Sequence, residues 1–482
     1  MLGPPGAGKT SCIVIPSILT APGAVLSTST KTEIMQDTYR IRNVVGRSFL
    51  YDPSGAVPLP SGVQHLRWSP LTRAGDWKHA RMIAATMAGM AHLSAGATAS
   101  TGTARDHWHE RAESLLAPLL HAASIDGRPM RDLIKWVDTR TCMEALRILQ
   151  ESQSASPLAL DLLTGIASTE ERELSGIWST ASGLLGAYRD EAALESTTGE
   201  MFDPAAFVRS NDTIYICATG TEQAAYAPLI AGLVASIQDA SYTDIAEYTL
   251  STTLGARMPS RPPVLFALDE IANIAPLPQL LSIASEGRGQ GIIALVSLQD
   301  LSQARNRWGR DNASGFMTLF GTAIVFRGIK DIDTLKAIET LAGEHPVMEH
   351  SVSTPLTRQG FLRHLSNATS RNRTPREATQ TSSAVMRPVL PADTIARGLP
   401  GHAIVIDENA GYSLVETTPY DRCEPFRTAV QQAGRIPAGT TAPLRDKMKD
   451  LMDSTELIAG RSTRYTTEID RNGRNSRGGL ER

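Results

Sequence analysis

Gly3-Pro4-Pro5-Gly6-Ala7-Gly8-Lys9-Thr10 decides the fold, because it satisfies every position of the phosphate-binding pattern G-x-x-x-x-G-K-[ST]. Its glycines let the backbone curl around an anion, so that successive N–H groups and a helix N-terminus can face phosphates. In this pattern Lys9 reaches the β- and γ-phosphates, and the Thr10 hydroxyl binds Mg²⁺. The stretch, extended to Ser11, is therefore our candidate binding site for ATP and Mg²⁺.

An apolar strand candidate at residues 264–268 ends in two carboxylates, Asp269 and Glu270. Asp269 at the strand tip can hold Mg²⁺, directly or through water, and Glu270 can orient the water that attacks the γ-phosphate. Many strands end in solvated carboxylates, so this motif is weak evidence alone. Paired with an upstream P-loop, it predicts a nucleoside triphosphatase.

Two further side chains are candidates for completing the site. Arg288 lies between glycines in residues 286–291, and a fixed guanidinium binds a phosphate through two hydrogen bonds. An ordinary surface arginine explains this spacing equally well. Gln299 follows the strand candidate 292–298, which we expect beside the strand that carries Asp269. From there its amide can sense the γ-phosphate or position water.

Composition limits the size, compartment and partners of the protein. At 482 residues the chain exceeds the roughly 250–300 residues at which one hydrophobic core stops growing, so two or more domains are expected. The formal net charge of −3 makes any DNA contact local. Four cysteines without a C-x-x-C pair favour a reducing cytosol. The longest apolar runs are too short to span a bilayer, and we expect no signal peptide in the chain as given. A cytoplasmic location is expected for the chain as given.

A cluster at Asp106-His107-Trp108-His109-Glu110 is the one further candidate for metal binding. His107 and His109 point to different sides of a helix, and no H-E-x-x-H pattern is present. We therefore favour a polar helix start and predict no metal other than Mg²⁺.

Short apolar runs alternate with helical periods, which predicts an α/β fold with a mostly parallel sheet. A helix is predicted after the P-loop at 11–19, weakened by Pro16. Strands are predicted at 23–27, 48–52, 213–218, 264–268, 292–298, 323–326 and 403–406. The clearest further helices are 108–122, 130–150 and 170–188, and we interpret this region as an all-helical domain inserted into the α/β core.

The predicted units follow from this alternation. Residues 1–75 and 211–430 form the nucleotide-binding domain, 76–210 the helical insertion, and 431–482 a polar tail that is disordered or forms one surface helix. Residues 94–104 are expected to form a loop or a mobile connection.

Residues 351–387 carry a single acid, Glu377, against six arginines: Arg358, Arg363, Arg371, Arg373, Arg376 and Arg387. A solvated loop is the favoured interpretation. The alternative is a basic surface that touches DNA or anionic lipid.

With these motifs in place, the chain resembles the type IV secretion coupling proteins of the TraG/TraD kind, relatives of FtsK-like DNA translocases. The resemblance covers most of residues 1 to about 425. Besides the P-loop it rests on Ser27-Thr28-Ser29-Thr30-Lys31-Thr32-Glu33, on Tyr51-Asp52-Pro53 with Arg67-Trp68-Ser69-Pro70-Leu71, on Leu268-Asp269-Glu270-Ile271-Ala272-Asn273, and on Gly287-Arg288-Gly289-Gln290-Gly291 with Gln299.

The resemblance implies a RecA-like motor that forms a homo-hexameric ring at the cytoplasmic face of the cell membrane. ATP turnover would drive DNA with an attached relaxase, or protein substrates, to the type IV secretion channel, and the helical domain would receive the substrate. By matching position, the resemblance implies roles in ATP turnover for Lys9, Thr10, Asp269 and Glu270, completed by Arg288 and Gln299 from the same or a neighbouring subunit.

Lys31 falls where the family often has an Asp-x-Lys motif, but Thr28 or Ser29 stands at the aspartate position, so we rank it low. Family members also carry transmembrane helices and a first core strand before the P-loop. We therefore expect a truncated reading frame, a fragment or a late start codon rather than a natural soluble version. Two other functions stay open: a receptor that docks secreted proteins without pumping DNA, and a truncated inactive remnant.

Overall fold

The computed structural model describes residues 1–94, 103–217, 223–253, 260–274, 276–353, 379–407 and 411–435. Its strands are β1 (Val25–Ser29), β2 (Ser48–Tyr51), β3 (Val63–His65), β4 (Thr213–Cys217), β5 (Val264–Leu268), β6 (Ile292–Val296), β7 (Thr322–Phe326), β8 (Glu344–Ser353), β9 (Thr379–Pro388), β10 (His402–Asp407) and β11 (Gly411–Glu416).

A six-stranded parallel sheet in the order β3-β2-β4-β1-β5-β6 forms the centre of the fold. Every residue of β1 and β4 is buried, as expected for inner strands of a parallel sheet with covered faces. A second, antiparallel sheet has the order β11-β10-β7, and β8 pairs with β9 in a separate ribbon. The prediction of a mostly parallel sheet is confirmed.

Helices connect and cover these strands. They are α1 (Ile15–Thr20), α2 (Glu33–Val45), α3 (Trp77–Ser94), α4 (Thr103–Ile125), α5 (Met130–Asp138), α6 (Met143–Glu151), α7 (Pro157–Ala167), α8 (Glu171–Leu184), α9 (Glu191–Glu195), α10 (Pro204–Val208), α11 (Gln223–Thr253), α12 (Ile271–Ile274), α13 (Leu280–Glu286), α14 (Leu301–Trp308), α15 (Arg310–Leu319), α16 (Ile332–Ala342), α17 (Ala392–Arg397) and α18 (Phe426–Arg435). Among the helices of these described ranges, none has the length and apolar character needed to cross a bilayer.

The chain between β3 and β4 is helical wherever the structure describes it, from α3 to α10. Its core is continuous with that of the sheet, because α3 packs against α11, the helix that follows β4. The domain boundaries stay predictions, although the predicted boundary between 430 and 431 falls inside α18, which packs against α2.

Leu2 joins the two larger sheets. It forms parallel bridges with Leu298, just beyond β6, and with Val325 of β7. The Leu2 N–H donates to the Ile324 carbonyl at 2.8 Å, and the Leu2 carbonyl accepts from the Phe326 N–H at 2.8 Å. The sequence shows no strand before the P-loop, yet the residue before Gly3 takes a strand-like place between β6 and β7.

Arg42 of α2 connects the starts of two neighbouring strands at the amino edge of the parallel sheet, where its strands begin. Its buried guanidinium donates to the carbonyls of Ala21 and Gly23, which precede β1, and to the carbonyl of Asn211 and the hydroxyl of Thr213 at the start of β4, all at 2.8–2.9 Å. Burial lowers the pKa of Arg42 to about 10, so the group remains charged at neutral pH.

Several helix predictions need correction. The predicted helix 130–150 is two helices, α5 and α6, separated at Arg140, whose φ is 53°. The predicted helix 170–188 ends as α8 at Leu184, and a short 3-10 turn follows over Gly186–Arg189. After the P-loop, the predicted helix 11–19 begins as a wide π-type turn over Thr10–Val14 and continues as α1, with Pro16 as the second residue of α1.

The predicted solvated loop at 351–387 is wrong at both ends, because 351–353 belong to β8 and 379–387 to β9. Residues 354–378, which contain Arg358, Arg363, Arg371, Arg373 and Arg376, lie outside the described residues. The same holds for 95–102, most of the predicted connection 94–104, and for 436–482, most of the predicted tail.

Candidate nucleotide site

The P-loop starts at the carboxyl edge of the parallel sheet. The Gly3 N–H donates to the Gln299 carbonyl at 3.0 Å, just past β6. A Cβ on Gly3 would lie 2.7 Å from the Cβ of Phe326, so only glycine lets the loop pass this close to β7. At Gly8 the backbone adopts φ of 101°, which L side chains rarely adopt. The sequence therefore forms the predicted loop between β6 and β7.

The remaining loop residues differ in exposure. Pro5 and Gly6 form the exposed tip, while Pro4, Ala7, Gly8 and Ser11 are half-buried. The Ala7 N–H donates to the Pro4 carbonyl at 3.2 Å, which closes the turn. Ser11 directs its hydroxyl to the Gly8 carbonyl at 3.5 Å. The exposed tip leaves one side of the loop open to a ligand.

Lys9 is buried, with 8% of its surface exposed. Its ammonium donates to the carbonyl of Gly3 and to that of Pro4, the latter at 3.2 Å. Burial lowers the pKa of Lys9, while the carboxylates of Asp269 and Glu270 act in the opposite direction. The cation therefore lies inside the loop and within electrostatic range of both acids.

Asp269 and Thr10 meet although they are far apart in sequence. Asp269 directly follows β5 and is 5% exposed, and its Oδ2 accepts from the Thr10 hydroxyl at 2.9 Å. Its Oδ1 is buried without a hydrogen-bond partner among the described residues. Burial raises the pKa of Asp269, and the nearby hydroxyls of Thr10 and Ser297 oppose that rise.

This pair suits a divalent cation. An unpartnered buried carboxylate oxygen costs free energy unless a cation or donor approaches it. Carboxylate and hydroxyl oxygens are the hard ligands that Mg²⁺ prefers, and Mg²⁺ usually takes only one or two protein carboxylates with substrate phosphates. Asp269 and Thr10 therefore fit the ion predicted from the sequence.

Glu270 occupies a strained backbone position beside Asp269. Its φ is 51°, an uncommon value for a residue with a side chain, and such outliers cluster at functional sites. Hydrogen bonds between Thr28 of β1 and the backbone of Asp269, at 3.2 and 3.3 Å, hold this turn. The Glu270 carboxylate accepts from the Thr30 hydroxyl at 2.6 Å.

Sequence reasoning missed Thr30, which is 240 positions from Glu270. In the same segment it considered Lys31 and ranked it low. The Lys31 side chain is exposed, and its N–H donates to the Ser29 hydroxyl at 3.1 Å. The available signal was the position of Thr30 just past the end of β1, next to β5 in the sheet.

Gln299 and Arg288 lie at opposite edges of the sheet. Gln299 contacts the P-loop through its backbone, and β5 and β6 are neighbours as predicted. Arg288 lies four residues before β6, in the short 3-10 turn Gly287–Gln290, and lines a 510 Å³ groove between β6 and β7. Five strand residues span about 16 Å, so Arg288 does not reach the P-loop of its own chain. The roles of both side chains stay predictions.

A second contact that sequence reasoning missed covers the helical turn directly after the P-loop. The segment Tyr420–Arg422 packs against the π-type turn that follows the P-loop. The Tyr420 hydroxyl donates to the Asp37 carboxylate at 2.6 Å, and burial raises the pKa of that carboxyl group. The segment around Tyr420 thus contacts both the turn that follows the P-loop and helix α2.

These features define an α/β protein of the P-loop class, with the phosphate-binding loop, a buried aspartate and a glutamate at one edge of a parallel sheet. The chain belongs to the type IV secretory system conjugative DNA transfer family, whose sequence model matches residues 1–406. A comparison with curated proteins found no match.

Two solved structures are similar in fold. The bacterial conjugative coupling protein TrwBdeltaN70, in an unbound monoclinic form, is 16% identical, with a TM-score of 0.51 over 83% of this chain and 86% of that one. The plasmid coupling protein TrwB in complex with the non-hydrolysable GTP analogue GDPNP is 16% identical, with a TM-score of 0.50 over the same shares of the two chains. The likeness confirms the predicted fold class, a RecA-like P-loop core with a mostly parallel sheet and an inserted run of helices.

Proposed function

We propose that this protein is an ATP-hydrolysing coupling protein. It recruits DNA with an attached relaxase, or protein substrates, and drives them to a type IV secretion channel at the cytoplasmic face of the membrane, as a homo-hexamer. The observation that carries the proposal is the convergence of Lys9, Thr10, Asp269 and Glu270 at the sheet edge that also bears the P-loop. Family membership supports the substrate class, and the TrwB complex with GDPNP supports nucleotide binding.

Each side chain has a distinct role in this proposal. Residues 3–8 and the N–H groups that follow cradle the phosphates, and the Lys9 ammonium exchanges its carbonyl partners for phosphate oxygens. Thr10 and Asp269 hold Mg²⁺, which neutralises charge on the transferred phosphoryl group when bound.

Glu270 is the general base that orients and polarises the attacking water. The carboxylate accepts a proton from that water. The strained backbone at Glu270 fixes the position from which its side chain extends. Gln299 positions water or senses the γ-phosphate from the next strand end. Arg288 acts on a neighbouring subunit, because its own P-loop is out of reach.

ATP hydrolysis by the purified full chain, measured with and without DNA, tests the proposal. DNA should accelerate turnover, and Lys9→Ala and Glu270→Gln should each lower kcat by about 10²–10⁴-fold, since each removes a group that acts in the transition state.

Lys135→Ala and Glu200→Gln are matched controls, because both side chains are exposed and lie in the helical region. They should hydrolyse ATP like the wild type. Normal turnover in both Lys9→Ala and Glu270→Gln would disprove the catalytic assignment.

The receptor function has one structural feature in its favour, the large helical region between β3 and β4. Because α3 of this region packs against α11, a fragment of residues 76–210 would expose part of its core, so the full chain is the proper bait. Retention of secreted proteins by full chains without any DNA stimulation of ATP turnover would favour the receptor.

A further inference from the structure

The hydrogen bond from Thr30 determines where the Glu270 carboxylate lies, and that position bears on catalysis. At 2.6 Å it is as short as hydroxyl bonds to charged carboxylates usually are. The backbone of this turn is already held by Thr28, so the free motion left to Glu270 is rotation of its side chain. Thr30 fixes that rotation.

The strand order shows to which side the carboxylate is drawn. β1 and β6 flank β5 on opposite sides, and Leu2, which leads into the P-loop, lies beyond β6. Thr30 follows β1, so it draws the Glu270 carboxylate towards β1, whereas the P-loop begins on the other side of β5, beyond β6. Asp269, one residue earlier, is instead bound to Thr10 of the P-loop.

We propose that Thr30 is a positioning residue that holds Glu270 in a retracted position, so that hydrolysis requires this hydrogen bond to break. A general base has to lie within hydrogen-bond reach of the water it activates. While Thr30 holds the carboxylate towards β1, bound ATP meets an incomplete site. Release of the bond, when substrate or DNA shifts the segment after β1, lets the side chain turn towards the γ-phosphate.

The segment that carries Thr30 is suited to such a shift. Lys31 and Glu33 beside it are exposed, and α2 begins at Glu33. A polyanion that contacts the Lys31 ammonium would pull on the residue next to Thr30. The inference rests on the proposed ATP hydrolysis by Glu270.

Thr30→Val, which removes the hydroxyl and keeps the shape, tests the inference in the full chain. Without DNA, kcat should rise about tenfold, which corresponds to about 1.4 kcal/mol, and KM for ATP should not change. The DNA-stimulated rate should stay near that of the wild type, so the stimulation ratio falls. Thr30→Ser keeps the hydroxyl and should restore wild-type behaviour.

Thr32→Val is the matched control, because the Thr32 hydroxyl accepts from the exposed Gln36 amide and does not contact Glu270. An unchanged or lower basal kcat in a folded Thr30→Val protein would overturn the inference, and a lower one would mean that Thr30 aims Glu270 productively. Failure of the proposed function is distinguishable, since then the wild type itself would not hydrolyse ATP.

Discussion

Replacing Asp269 by asparagine should stabilise the protein while abolishing its activity. The Asp269 carboxylate is 5% exposed, and its Oδ1 has no hydrogen-bond partner among the described residues. Asparagine keeps an oxygen that can accept from Thr10, and its amide can donate to the Ser297 hydroxyl, which lies close to this carboxylate. The variant removes a buried charge and replaces the unpaired oxygen by a donor.

The expected gain is about 1–3 kcal/mol at pH 7, the cost of a buried unsatisfied group. Loss of the attraction to Lys9 works against this gain, but burial has the larger effect on the pKa of Asp269. That pKa is raised above its ordinary value of 3.8. Between the two pKa values the folded wild type binds more protons than the unfolded chain, so its stability falls as pH rises through that window. The advantage of Asp269→Asn should therefore vanish below about pH 4 and grow as the pH rises above that value.

Urea unfolding of wild type and variant from pH 4 to 8, with and without Mg²⁺ and ATP, measures these effects. Ligand at 100 times its dissociation constant should stabilise the wild type by about 2.7 kcal/mol and the variant by much less. Asp203→Asn is a matched control, because Asp203 caps α10 and asparagine caps a helix equally well. A variant less stable than the wild type at pH 7 without ligand would refute the reasoning.

Two other predictions concern arginines of the amino edge. Arg42→Met should lower the free energy of unfolding by about 3–5 kcal/mol in urea, because the carbonyls that Arg42 bonds lose their donor. The control Arg147→Met, at an exposed ion pair, should change it by less than about 1 kcal/mol. Arg288→Ala and Lys9→Ala proteins, each inactive alone, should regain ATP turnover when mixed, because hybrid rings contain interfaces with both residues intact. No recovery on mixing would mean that Arg288 does not act across subunits.

The sequence was sufficient to predict the fold and the site where local pattern and chemistry agree. Residues 264–268 form β5 within the predicted bounds, because an apolar run buried on both faces has few other places in an α/β fold. The carboxyl ends of parallel strands meet at one edge, so Asp269 was expected near the P-loop and is found bonded to Thr10.

The remaining features depend on information that local patterns do not carry. The break at Arg140 lies between two helices whose apolar periods continue each other, and it contains neither glycine nor proline. Among the strands that the structure describes, β8 and β9 pair only with each other, and their serine- and threonine-rich sequences show no alternation towards a core. Thr30 meets Glu270 only because β1 and β5 become neighbours through the folding of the intervening chain.

The polarity of the parallel sheet separates chemistry from support in this protein. The carboxyl edge bears the P-loop, Asp269, Glu270 and Thr30, each just beyond a strand or strand-like residue. The amino edge bears the Arg42 hydrogen bonds that fix the starts of β1 and β4, and it also bears Arg288. A residue at the amino edge can act on a phosphate only if another subunit presents its carboxyl edge there. A catalytic Arg288 therefore requires an assembly, whereas a catalytic Glu270 does not.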